Sequence, residues 1–162
     1  MKVAIVMGSK SDFEAVKPAV DILKQFGVEC EARVISAHRT PEEAHAFAKS
    51  AAKNKIEVIV AAAGKAAHLA GVLASCTTLP VIGLPVKSSF EDGLDSLLST
   101  VQMPSGIPVA TVAVGGGENA GLLAARILSV KYPALRTALK DYAERLRAKT
   151  LEDDRLLRES VK

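Results

Sequence analysis

Hydrophobic positions along this chain alternate between two spacings, and the alternation recurs five times. Lys2–Met7 (KVAIVM) is a nearly unbroken apolar run rich in β-branched side chains, the pattern of a strand covered on both faces. A helical stripe follows at Phe13, Val16, Val20 and Leu23 and ends at Gly27. Pro18 lies inside that stripe and is expected to kink the helix or delay its start. Residues 28–35 read as a second strand and 41–53 as a second helix, with Pro41 suited to a first helical turn. Strands are expected at 56–62, 80–84 and 107–114, and helices at 66–75, 91–101 and 119–130. A long amphipathic helix carrying Leu135, Leu139, Tyr142 and Leu146 closes the chain.

Five strand–helix units in tandem imply a parallel sheet with helices on both faces, an α/β architecture. At 162 residues the chain fits one domain, a core over 1–130 with a helical extension over 131–162. Residues 66–86 contain no Asp, Glu, Lys or Arg, but His68, Thr77, Thr78, Pro80 and Pro85 punctuate them. They suit a short helix and a buried strand rather than a membrane span. With aromatics at only 4% and no Trp, the core is built from Val, Ile, Leu and Ala. The net charge of +3 is mild and concentrated after Lys131, where Asp141 and Glu144 interrupt the basic residues. Mixed signs at helical spacing describe a solvated face, not a nucleic-acid stripe. Cys30 and Cys76 form no metal spacing or CxxC pair and read as buried thiols of a cytoplasmic protein.

The chemistry falls in loops at the carboxyl ends of strands, where open α/β sheets place their ligands. If the first three strands lie side by side, loops 8–12, 36–40 and 63–68 converge on one crevice. The second loop is the most informative, because Ser36, Ala37, His38, Arg39, Thr40 and Pro41 put an imidazole beside a guanidinium. Neutral histidine can give or take a proton near pH 7. Arginine offers planar, permanently charged donors to phosphate or carboxylate. The first loop offers Gly8, the hydroxyls of Ser9 and Ser11, and Asp12 where a helix begins, a setting that suits phosphate and ribose. Ser11 or Asp12 can equally serve as a plain helix cap. Neither a dinucleotide nor an ATP-binding glycine fingerprint is present. In the third loop, small residues around Gly64 let a planar ligand approach the backbone. His68 there is either a second site group or, as slightly favoured, a satisfied core histidine. His45 fits an ordinary helical position and Cys76 the core. No cluster has metal-ligand spacing.

Several segments, in order from residue 2 to about 130, resemble the bacterial type of N5-carboxyaminoimidazole ribonucleotide mutase, the PurE family of purine biosynthesis. They are Gly8-Ser9-Lys10-Ser11-Asp12, Ser36-Ala37-His38-Arg39-Thr40-Pro41, Ala66-Ala67-His68-Leu69, Pro80-Val81-Ile82-Gly83, Asp95-Ser96-Leu97-Leu98-Ser99, Val101-Gln102-Met103-Pro104 and Asn119-Ala120-Gly121-Leu122-Leu123-Ala124. The resemblance implies a flavodoxin-like three-layer αβα sandwich with a five-stranded parallel sheet. It implies a homo-octamer that uses no metal, ATP or biotin and acts on a ribonucleotide with CO₂ as intermediate. The reaction it implies moves a carboxylate from the exocyclic N5 to C4 of one imidazole. His38 would shuttle the proton, Ser9, Ser11 and Arg39 would hold the 5′-phosphate, and Asp12 the ribose. Gly8, Ser36, Ala37, Gly64, Lys65 and His68 complete the expected substrate contacts.

Two loop positions depart from the family pattern Ala-Gly-Ala-Gly-Gly-Ala-Ala-His-Leu-Pro-Gly in a way that bears on the chemistry. Ala62 and Lys65 stand where glycine is usual; Ala70 also replaces proline. Lys65 brings an ammonium into the loop expected to line the CO₂ pocket, which raises net decarboxylation or CO₂-dependent carboxylation as an alternative. A non-catalytic ribonucleotide-binding module is the alternative from another class, and a flavin-binding electron carrier the fold-level one, disfavoured by the scarce aromatics. The small-residue segments 66–74 and 119–130 are expected to bury between subunits.

Overall fold

A computed structural model describes residues 1–161. Five parallel strands, β1 (Lys2–Met7), β2 (Glu29–Val34), β3 (Val58–Ala63), β4 (Val81–Pro85) and β5 (Ala110–Thr111), form one sheet in the order β2-β1-β3-β4-β5. The helices are α1 (Phe13–Gln25), α2 (Pro41–Ala51), α3 (Leu69–Ala74), α4 (Leu94–Val101), α5 (Gly117–Ser129) and α6 (Pro133–Ser160). This is the expected flavodoxin-like arrangement, with β1 and β3 central and the crevice opening where the order reverses beside β1.

Alternation along β1 divides the core in two. Val3, Ile5 and Met7 face Val16, Ala19 and Leu23 of α1 and Ala120, Ala124 and Leu128 of α5. Ala4 and Val6 face Ala44, Phe47 and Ala48 of α2 and Leu69, Ala70 and Leu73 of α3. Each fully buried Leu or Ile here contributes about 1.5–3 kcal/mol, so the two layers hold the loop ends rigidly. A Cβ at Gly83, in the middle of β4, would collide with Thr100 Cγ2 and lie 2.9 Å from Val109 Cγ1. Glycine there lets α4 settle onto the sheet, and the buried Thr100 hydroxyl donates to the Ser96 carbonyl at 2.7 Å.

Several expectations are corrected. Helix α1 begins at Phe13 and continues past Pro18, so it does not start late. A short turn at Lys10–Asp12 leads into it, and Pro18 is on the exposed face, where water can serve the Glu14 carbonyl that proline cannot. The fifth strand pairs over only two residues, since Pro108 lacks a donor and left-handed Gly106 and Gly115 bracket the segment. The helix expected at 91–101 breaks at left-handed Gly93, and the one at 66–75 shortens to Leu69–Ala74. Cys30 and Cys76 are half-buried rather than buried. Apart from these corrections, the inner face of 119–130 packs within the chain: Ala120, Gly121 and Ala125 are buried, and a Cβ on Gly121 would strike Ile22 of α1. No helix among the described residues is long and apolar enough to cross a membrane.

Candidate active site

The loop after β1 turns at once into a helix start. The Gly8 N–H donates to the Ala62 carbonyl at 3.0 Å, stitching this loop to the end of β3. The Ser9 side chain accepts from the Ser11 N–H at 3.3 Å, and the Ser9 N–H donates to Asp12 Oδ2 at 3.0 Å, a reciprocal capping box. The Ser11 hydroxyl donates to Ser9 Oγ at 2.8 Å. Capping is therefore one job of this loop, and it pre-orients both hydroxyls at the cavity edge. Burial pushes the Asp12 carboxyl above its ordinary range, against the opposing pull of the Ser9 N–H, Ser11 and Arg39.

The loop after β2 is tied just as tightly. Thr40 Oγ1 accepts from the Ser36 N–H at 2.9 Å and donates to the Ser36 carbonyl at 3.0 Å. Ser36 Oγ in turn accepts from the Arg39 N–H at 3.2 Å. Arg39 Nη2 reaches across to the Gly8 carbonyl at 2.7 Å. One edge of the guanidinium thereby fastens the first two loops together, and its remaining donors stay available to an anion.

His38 meets a partner thirty residues away. Its Nε2 lies 2.9 Å from Nδ1 of His68, the two rings 5.0 Å apart and crossed at 80°. Such a contact needs one N–H and one lone pair, so the two rings take complementary roles in it. His68 is exposed and stands immediately before α3. The expectation of a satisfied core histidine is overturned, because the turn at 65–68 swings the ring out of the apolar layer and toward the loop after β2. His45 is exposed on α2.

In the third loop the N–H groups of Ala67 and His68 donate to the carbonyls of Lys65 and Ala66, both at 2.8 Å. This tight winding puts Lys65 in the left-handed region at φ 56°. The Ser99 hydroxyl of α4 donates to the same Lys65 carbonyl at 3.4 Å.

All the predicted residues except His68 line one cavity of about 500 Å³: Gly8, Ser9, Ser11, Asp12, Ser36, Ala37, His38, Arg39, Gly64 and Lys65. His68 lines a neighbouring hollow with Ser99, Gln102 and Met103, so the histidine pair forms the wall between the two. Sequence reasoning missed Lys87, which also lines the main cavity. It lies two residues past the end of β4, and extending the strand-end rule from three strands to four finds it. No group of three or more His, Cys, Asp or Glu side chains that could hold a metal occurs among the described residues. The arrangement combines hydroxyls and a guanidinium for an anionic group with an imidazole pair for proton transfer.

Comparison with known proteins points the same way. The model of the AIR carboxylase family matches residues 2–149. A curated protein of Saccharolobus solfataricus named N5-carboxyaminoimidazole ribonucleotide mutase is 60% identical over 146 residues, spanning 90% of this chain and 92% of that one. One of the same name from Thermotoga maritima is 54% identical over 151 residues, spanning 93% and 88%. The crystal structure of Treponema denticola PurE superposes with a TM-score of 0.86 at 34% identity, covering 94% of this chain and 96% of that one.

Proposed function

Because the chain belongs to the AIR carboxylase family, we propose that it is an N5-carboxyaminoimidazole ribonucleotide mutase, an isomerase of purine biosynthesis. The reaction moves a carboxylate from the exocyclic N5 to C4 of the same imidazole. The observation that carries this reading at the site is the convergence of His38, Arg39 and the Gly8–Asp12 loop on one cavity of ligand size.

In this reading His38 gives its proton to the carbamate nitrogen as the N–C bond breaks and CO₂ leaves. The aminoimidazole C4 then attacks CO₂, and His38 takes the C4 proton, so the imidazole ends the turnover as it began. The His68 contact orients the ring, since a hydrogen bond on one ring nitrogen sets the tautomer at the other. Ser9, Ser11 and the uncommitted edge of Arg39 hold the 5′-phosphate, Asp12 holds the ribose, and Gly8, Ser36, Ala37 and Gly64 shape the floor. CO₂ stays in the cavity between the two steps.

The wider reading is one domain over 1–162, acting in the cytoplasm as a homo-octamer. One sheet with both faces covered supports the single domain. An apolar stripe of Leu94, Leu98 and Val101 exposed at helical spacing along α4, with Phe90 beside it, supports association. Lys65 favours a second reading, a lyase that decarboxylates the 4-carboxy isomer or carboxylates the free ribonucleotide.

Incubation with each carboxylated isomer, following both isomers and the free aminoimidazole ribonucleotide, decides among them. Interconversion without free ribonucleotide is expected. Accumulation of the free form points to the lyase, and binding with no conversion of either isomer points to a ribonucleotide-binding module.

A further inference from the structure

Lys65 is a lysine in a conformation that disfavours any residue with a Cβ, at φ 56°. Its backbone is fixed there by the Ala67 N–H and the Ser99 hydroxyl, both on its carbonyl, and the residue lines the cavity. The same backbone region is used by Lys55, Glu91 and Asp92, so what singles out Lys65 is its place in the wall of the carboxyl-end cavity. The charges around the cavity are unevenly distributed. Arg39, on the β2 side, is engaged with Gly8 and Ser36, and Asp12 is engaged with the Ser9 N–H. Lys65 and Lys87 stand on the β3–β4 side. Lys87 Nζ has Asp92 at 3.8 Å, whereas the Lys65 ammonium has no ion-pair partner among the described residues. In the proposed reading the phosphate lies with Arg39, which leaves this cation available to another part of the ligand in the same cavity.

We infer that Lys65 reads the carboxylate of the substrate, its ammonium pairing with the –CO₂⁻ group on the aminoimidazole so that the site discriminates carboxylated from uncarboxylated ribonucleotides. The inference rests on the proposed mutase reading and adds to it a specificity determinant. A cation that pairs with the carboxylate before the N–C bond breaks stabilises the bound substrate at least as much as the transition state. Its effect therefore falls on affinity more than on turnover.

The test compares binding of aminoimidazole ribonucleotide and of its 4-carboxylate to the wild-type protein, Lys65→Gln, Lys65→Gly and Lys65→Arg. The wild type is expected to prefer the carboxylate. Lys65→Gln and Lys65→Gly should each lose about tenfold in affinity for it, the scale of a partly solvated charge-assisted pair, while the uncarboxylated ligand stays within twofold. Lys65→Arg should recover most of the preference. Lys65→Gly accepts the left-handed backbone without strain, so agreement between the two neutral variants separates charge from loop damage. In turnover, KM for the carboxylated isomers should rise while kcat changes less. Equal losses for both ligands, or none for either, would overturn the inference and leave the mutase reading standing. A wild-type protein that binds neither ribonucleotide would overturn both.

Discussion

The two ends of the sheet carry cavities of nearly the same size and opposite character. At the carboxyl end lies the cavity of about 500 Å³ described above. At the amino end, Met1, Lys2, Glu29, Asn54, Lys55, Glu57, Lys131 and Tyr132 are among the residues surrounding about 520 Å³. The second is as rich in charge as the first, yet most of its charged side chains are paired, Lys55 being the exception among the described residues. Lys2 pairs with Glu31 at 2.8 Å and Glu29 at 3.6 Å. Glu57 accepts from the Tyr132 hydroxyl at 2.6 Å and from Lys131 at 3.4 Å. At the carboxyl end hydrogen bonds position His38 against His68 and Arg39 against Gly8 and Ser36, while neither Arg39 nor Lys65 has an ion-pair partner among the described residues. Volume and charge therefore do not distinguish a site here; polar groups held in place without being neutralised do.

The largest effect that could break this contrast is on turnover. His38→Asn should lower the rate of isomer interconversion by at least about 10²-fold while ribonucleotide still binds. Near-normal turnover in that variant would remove the proton-transfer role from the carboxyl end. Arg39→Ala should weaken ribonucleotide binding by about 1.5–3 kcal/mol, read by calorimetry. The dephosphorylated nucleoside should bind wild type and variant alike; an equal loss for both would show that Arg39 supports the loops rather than the phosphate.

At the amino end the expected effect is on stability alone. Tyr132→Phe removes the hydrogen bond to Glu57 and should cost about 1 kcal/mol, some 2–4 °C in Tm for a chain of this size, with kcat unchanged. A loss of turnover without a change in Tm would contradict the structural role of this cluster. The smallest effect is at Asp12. Because burial raises its pKa in the folded chain, the folded state holds that proton more tightly than the unfolded chain. Its contribution to stability is fully present below the unfolded pKa of about 3.9 and is lost as pH rises through the folded value. Asp12→Asn, which keeps an acceptor for the Ser9 N–H but cannot ionise, should flatten that part of the Tm–pH profile. An NMR titration placing Asp12 below the ordinary range would contradict it.

What was legible in the sequence follows from how local the cause is. β1 is readable because each of its residues carries its own apolar signal, and the Ser36–Thr40 loop because its residue types are chemically specific in themselves. The pattern overextends β5 because Val109, Val112 and Val114 look like a strand until Pro108 and the flanking glycines are weighed as limits on pairing. His68 is not legible as a site group because its partner is thirty residues away, and no spacing within 63–75 reports that. The small residues of 119–130, expected to bury between subunits, pack their inner face within the chain. That α1, through Ala19 and Ile22, supplies the opposing surface is a fact of topology rather than of that segment.

The rims of the sheet bear on what this protein does when crowded. β2 offers a free backbone edge, but Glu29, Glu31 and Arg33 alternate along it, so an incoming strand would have to desolvate or displace them. β5, at the other rim, pairs over two residues beside a proline and is too short a template for a newcomer. Strand-to-strand polymerisation is thus discouraged at both ends of the molecule, by charge at one and by brevity at the other. Such a protein can expose greasy helix surface to its own copies without inviting fibre growth, because stickiness and hydrogen-bonding capacity are kept on different parts of its surface.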